Sequence, residues 1–266
     1  MIDIQNAKKE FEKYVSAYDM ENPKIELKRQ HTYRTIDIAK QVAKSINLKQ
    51  EDIELAELIA LLHDIARFEQ LKQFNTYNDL ISFDHADYGV KLLFEDGLIR
   101  KFIREDQYDE IIFKAIKNHN KYEIEKGLNE KELLHAKIIR DADKTDIYAC
   151  YVRDIEENRG ALYQYDEIAK QKVTPEVLQI FLNHQLINRI YPKNEIDKVV
   201  TALAFIYDYH FIKGVEIIKE CHYIEKILAR IDICEETKEQ TELLRKVALQ
   251  YLDNKIQGGT KNESKN

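Results

Sequence analysis

Only seven glycines and three prolines occur among the 266 residues of this chain. Sheet proteins consume both residues in their turns, where glycine supplies positive φ and proline a preset one. So sparse a supply points to helices, and the apolar spacing agrees. Ile4, Ala7, Phe11, Tyr14, Val15 and Tyr18 recur at helical intervals across 2–18. Pro23 breaks that pattern, and a second helix is expected over 24–46. A third, EDIELAELIALLHDIAR at 51–67, opens on acids and closes on arginine as the helix dipole favours. Its middle is apolar nearly all round, as in a helix at the centre of a domain. A loop is expected over 68–82, then helices over 84–95, 108–119 and 131–157. Beyond Arg159-Gly160 a loop precedes helices over 174–190, 195–229 (interrupted at Gly214) and 236–255. The polar residues 257–266 read as a disordered tail. No repeat and no strand pattern stands out, so the fold class is all-α.

The formal net charge of −7 excludes attraction of nucleic acid by bulk electrostatics, though a local basic pocket for a small phosphate ligand remains compatible with it. Cys150, Cys221 and Cys234 are odd in number and lack CxxC spacing, so neither a disulfide framework nor a thiolate zinc site is expected. The opening MIDIQNAKKEFEKY has no apolar leader segment, and no run approaches the ~18 apolar residues of a membrane span. A soluble, cytoplasmic protein is expected.

The chemistry concentrates in the first half. His31, His63, His85 and His119 alternate with helical segments, and two acids accompany them, Asp64 beside His63 and Asp143 within RDADKTD. Such gaps suit side chains projecting from successive helices into one cavity, where bundles build metal sites. The His63-Asp64 pair is informative by itself. An apolar helix such as ELIALLHDIA normally excludes adjacent ionisable groups, because burying an unpaired carboxylate is costly. A metal ion removes the objection by neutralising the carboxylate and accepting the imidazole lone pair.

His31 in HTYRTIDIA, His63-Asp64 in LLHDIARFEQ and Asp143 in IIRDADKTD resemble the H…HD…D signature of the HD superfamily of metal-dependent phosphohydrolases. The resemblance covers roughly 24–157. It implies an all-α bundle with a metal at its centre, preceded by a packing helix at 1–23 and extended by C-terminal helices over 158–256. It also implies hydrolysis of a nucleotide or other small phosphate ester by metal-activated water. Asp143 is the chosen last ligand because it precedes a basic residue as in the family pattern, with Asp141 second. His85 in FDHADYGVKLLF and His119 in AIKNHNKYE extend the order to H…HD…H…H…D, similar to the subgroup that holds two metals with Asp64 bridging. Manganese, iron, cobalt, nickel and magnesium all suit such ligands. If not bound to metal, His85 or His119 would protonate the leaving oxygen. The HD-GYP branch, which hydrolyses cyclic di-GMP, shares this histidine order, but NHNKYEIEKGLNEKE lacks the Gly-Tyr-Pro element.

Substrate contacts are expected from cations near these ligands. Arg67, three residues after Asp64, either grips phosphate bidentately or complements a helix end. Arg34 stands three residues after His31 by the same logic. Lys144 either meets phosphate or pairs with Asp141, and Lys121 sits on the loop beyond His119. In the loop before His85, Asn75, Tyr77, Asn78 and Asp79 either recognise a base or sugar or form turns. His135, two helical turns before Asp143, reads as a packing or supporting residue. His184, His210 and His222 read as outside the site, and Tyr207 and Tyr209 in FIYDYHF as aromatic packing or a homodimer surface. Two rival functions share these ligands: a di-iron oxygenase, and a nucleotide-sensing module without turnover.

Overall fold

The computed structural model describes residues 2–156, 168, 171–231 and 235–263. Among them no strand occurs, as the scarcity of glycine and proline led us to expect. The chain divides into two compact units, Met1–Asp143 and Lys144–Asn266.

The first unit comprises α1 (Ile4–Val15), α2 (Pro23–Ser45), α3 (Gln50–Leu62), α4 (Ala66–Phe74), α5 (His85–Val90) with a π-helical continuation at Lys91–Glu95, α6 (Ile99–Phe102), α7 (Asp109–Asn118) and the start of α8 (Glu130–Glu156). The helix starts follow local chemistry. Asp3 caps α1 through the Asn6 N–H, and Asn22 caps α2 ahead of Pro23 in the first turn. Asn129 and Glu132 form a reciprocal capping box at the head of α8, with bonds of 2.9 and 3.0 Å. Gly97, at φ +74°, turns the chain after the π segment. Every residue of α3 from Ile53 to Leu62 is buried, matching its all-round apolar sequence, and α2 packs along it.

Two expectations about this unit are corrected. The segment 51–67 is not one helix. α3 ends at Leu62, His63–Ile65 form a turn, and α4 begins at Ala66. The backbone stays right-handed through the turn while bonding tightens to Ile65 N–H→Leu62 and Arg67 N–H→Asp64, at 3.1 and 2.9 Å. No glycine or proline marks such a break. The loop expected over 68–82 is also shorter, since α4 runs to Phe74 and closes on Asn75 in the left-handed region at φ 52°.

α1 buttresses this turn. Phe11 is fully buried, with its ring edge-on to Phe68 and Tyr33 at 5.8 and 6.1 Å. The Tyr14 hydroxyl donates to the Ile65 carbonyl at 3.3 Å and accepts from Tyr18 at 2.8 Å. Burial pushes the Tyr14 phenol up to about 12, so it stays a donor at neutral pH.

The second unit holds the remainder of α8, then α9 (Pro175–Leu182), α10 (Glu195–Leu203) with a 3₁₀ turn at Ala204–Asp208, α11 (Ile212–Glu220), α12 (Tyr223–Ile231) and α13 (Glu235–Glu263). Its core includes Tyr148, Phe181, Val200, Ile206, Ile218 and Leu228. The helix expected over 195–229 is therefore three, broken at 204–211 and 221–222. Gly214 lies inside α11, where an added Cβ would meet the Tyr209 ring at 2.5 Å. FIYDYHF is aromatic packing here: Tyr209 is buried, and Tyr207 meets Phe181 and Tyr251 at 5.2 and 4.8 Å. Helix α13 continues to Glu263, into the stretch read as a tail. The loop expected around Arg159-Gly160, Cys234 and residues 264–266 lie outside the described residues. Among the described residues Cys150 and Cys221 form no disulfide, and no helix is long and apolar enough to cross a membrane.

Candidate metal centre

The six residues selected by spacing converge in the first unit from four helices and one turn. His31 lies mid-way along α2, His63 and Asp64 at the α3–α4 turn, His85 at the first position of α5, His119 just past α7, and Asp143 within α8. All four histidines and Asp64 are buried, and the Asp143 side chain is 15% exposed.

Asp64 divides the cluster by its two oxygens. Oδ2 faces His31 Nε2 at 3.5 Å and His63 Nε2 at 3.7 Å. Asp143 Oδ1 closes this group, 3.1 Å from His31 Nε2 and 3.6 Å from His63 Nε2. Oδ1 of Asp64 instead faces His85 Nε2 at 3.3 Å and His119 Nε2 at 3.7 Å. The arrangement is two donor sets sharing one carboxylate.

The donors fit a cation. His63 and His119 hold their Nδ1 atoms against the carbonyls of Ala60 and Ile116, at 2.8 and 2.6 Å. A carbonyl can only accept, so each Nδ1 carries the proton and each Nε2 presents a lone pair. His85 does the same through Asp79 Oδ2 at 2.7 Å. The Nε2 atoms of His85 and His119 are then two acceptors 3.0 Å apart. Burial pushes His85 down to about 3, with Arg67 adding to the effect, so a proton does not relieve the contact at neutral pH. A shared cation does relieve it, and outward bonds of this kind orient metal-binding histidines.

Burial alone would raise the Asp64 carboxyl. Lys28 and Arg67 nonetheless hold Asp64 well below the usual carboxylate range. Lys28 was not anticipated. Its ammonium lies 2.7 Å from Asp64 Oδ2 and 5.4 Å from the centre of the Tyr77 ring. It stands three residues before His31, on the same helix face, which is the spacing that would have revealed it.

The remaining candidates are placed as follows. Arg67 sits in the first turn of α4, the wrong end for complementing the dipole. Its Nη1 donates to Asp79 Oδ1, the Tyr77 carbonyl and Gln70 Oε1 at 2.6–2.8 Å, and its Nε lies 3.4 Å from Asp64 Oδ1. The Tyr77 hydroxyl donates to the Lys24 carbonyl at 2.7 Å, and burial raises its pKa. Arg34 is half-buried one turn beyond His31. Lys121 gives its ammonium to Asp84 and Asp87 at 2.8 and 2.9 Å, tying the loop after His119 to the start of α5. Lys144 pairs with Asp208 in the second unit. Asn75 and Asn78 form turns, the latter accepting from the Leu80 N–H at 3.0 Å. His135 is buried against Asp52 at 3.6 Å, a packing residue. In the second unit His184 lies against Tyr207 and Tyr251, and His222 against Glu225. Buried Arg140 also escaped notice in the sequence. It donates to the carbonyls of Asn118, Lys121 and Tyr122, and so fixes the segment that carries His119.

The sequence matches the HD domain family over residues 29–148, a span that takes in all six residues of the cluster. Residues 29–148 are an HD domain. Most of the HD superfamily are metal-dependent phosphohydrolases, and the clustered His and Asp side chains suit a divalent metal. No curated protein and no solved structure matches the chain.

Proposed function

We propose that this HD-domain protein is a metal-dependent phosphohydrolase acting on a nucleotide or another small phosphate ester, with two divalent ions. His31, His63, Asp64 and Asp143 would hold one ion, and Asp64, His85 and His119 the other. The observation that carries this reading is the division of Asp64, each of whose oxygens faces its own pair of imidazoles. A divalent metal there supplies the Lewis acidity that activates water and neutralises charge developing on phosphoryl oxygens.

The chain's own residues supply the setting. Burial of the histidines excludes bulk water and strengthens every charge interaction within the cluster. The backbone and Asp79 acceptors fix three imidazoles with Nε2 inward. Arg67, held beside Asp64 and beneath Tyr77, is the cation best placed to orient an anionic substrate.

The test is hydrolysis of a broad panel of nucleotides and phosphate esters with manganese, iron, cobalt, nickel or magnesium. Metal-dependent release of phosphate, abolished by Asp64→Ala, is expected. Full activity of Asp64→Ala would refute the reading, as would substrate-dependent oxygen uptake without phosphate release.

A further inference from the structure

The short loop between α4 and α5 inverts the ordinary rule of burial. In its 3₁₀ turn, Asp79–Ile81, the apolar side chains of Leu80 and Ile81 are 75% and 68% exposed, while the Asp79 carboxylate is 7% exposed. Burying a carboxylate in place of two aliphatic side chains costs free energy unless the carboxylate has a specific task.

Its partners indicate the task. Asp79 Oδ2 accepts from His85 Nδ1 at 2.7 Å, and Oδ1 accepts from Arg67 Nη1 at 2.8 Å and from the buried Gln70 amide at 2.9 Å. His85 needs such a partner for a reason rooted in its position. His63 and His119 each follow the last turn of a helix, where the carbonyl three residues back lies within reach of Nδ1 and accepts from it. His85 opens α5, with no helical turn before it, so its acceptor must come from elsewhere. The surrounding charges agree: burial would raise the Asp79 carboxyl, but His85, Arg67 and Gln70 hold it well below the usual range.

We propose that Asp79 is the positioning residue of the second ion subsite, fixing His85 with Nε2 toward Asp64 and coupling that subsite to Arg67. The proposal rests on the two-ion reading above. A carboxylate behind a ligating imidazole sets its tautomer and raises its basicity, and loss of such a partner weakens metal affinity about 10–100-fold. Asp79→Asn keeps the shape and removes the charge, so it should act on one ion and spare the other.

Calorimetric titration of the full chain with Mn²⁺ tests this. The wild type should bind two ions, and Asp79→Asn should hold one unchanged and the other about 10–100-fold more weakly. Gln70→Ala, which removes a donor to the same carboxylate but not its charge, should still bind both. Unchanged affinities in Asp79→Asn overturn the role of Asp79 alone. Equal loss in both variants also overturns it, by making the effect one of loop structure. Fewer than two ions in the wild type overturns the two-ion reading and the proposal together. Should Asp79→Asn fail to fold, ¹⁵N shifts of His85 in the metal-free wild type decide: a proton on Nδ1 supports the proposal, and one on Nε2 overturns it.

Discussion

Replacing Lys28 by Met removes one charge from the cluster and keeps the length and apolar stem of the side chain. The Lys28 ammonium lies 2.7 Å from Asp64 Oδ2, with the two side chains 16% and 4% exposed. At an effective dielectric of about 20 their gross attraction is about 6 kcal/mol. Desolvation offsets part of that, and breaking a buried pair by removing one partner costs about 3–5 kcal/mol. Arg67 Nε, 3.4 Å from the other oxygen, still compensates some of the charge, so the lower end applies. Metal-free Lys28→Met should therefore lose about 3 kcal/mol, or roughly 6–12 °C in Tm at about 2–4 °C per kcal/mol. Saturating Mn²⁺ should close most of this gap, because a dication held by Asp64 takes over the neutralising role and no longer competes with the ammonium. Urea denaturation of both proteins, with and without Mn²⁺, measures it. A gap that persists unchanged with metal would make Lys28–Asp64 an ordinary ion pair and remove Asp64 from the ligands.

Two other predictions concern parts that support the cluster. Arg140→Met strands the buried Asn118 carbonyl and loosens two part-buried ones, and should cost about 1–3 kcal/mol in urea denaturation, with weaker binding of the second ion; unchanged Mn²⁺ stoichiometry and stability would refute that role. Burial lowers His135 from the ordinary 6.5 to about 4, so the unfolded chain binds its proton first as pH falls. The stability that neutral, buried His135 contributes is full above about 6.5 and declines between about 6.5 and 4. Its share of the slope is at most about 1.4 kcal/mol per pH unit. His135→Gln should remove that share from the pH dependence of the urea midpoint, and an identical slope in both proteins would contradict it.

Much of the cluster was legible in the sequence because the order of its residues survives as spacing. His31, His63, Asp64, His85, His119 and Asp143 lie on or beside successive helices, and helices fix which side chains share a face. What spacing does not carry is where a loop turns its side chains. Asp79 read as a turn former or base contact, yet it faces inward while Leu80 and Ile81 face out. The break at His63–Ile65 was hidden because tightened right-handed bonding needs neither glycine nor proline. The cations were hardest to rank, since a lysine's role depends on which acid it reaches. Lys121 and Lys144 reach structural acids, while Lys28, four residues after the expected α2 start and passed over in the sequence, reaches Asp64.

The most direct test of two ions sharing Asp64 is anomalous diffraction from crystals grown with Mn²⁺. The account predicts two peaks per chain, one beside each Asp64 oxygen, and neither in Asp64→Ala. Absence of both peaks from the wild type, or their persistence without the carboxylate, would contradict it.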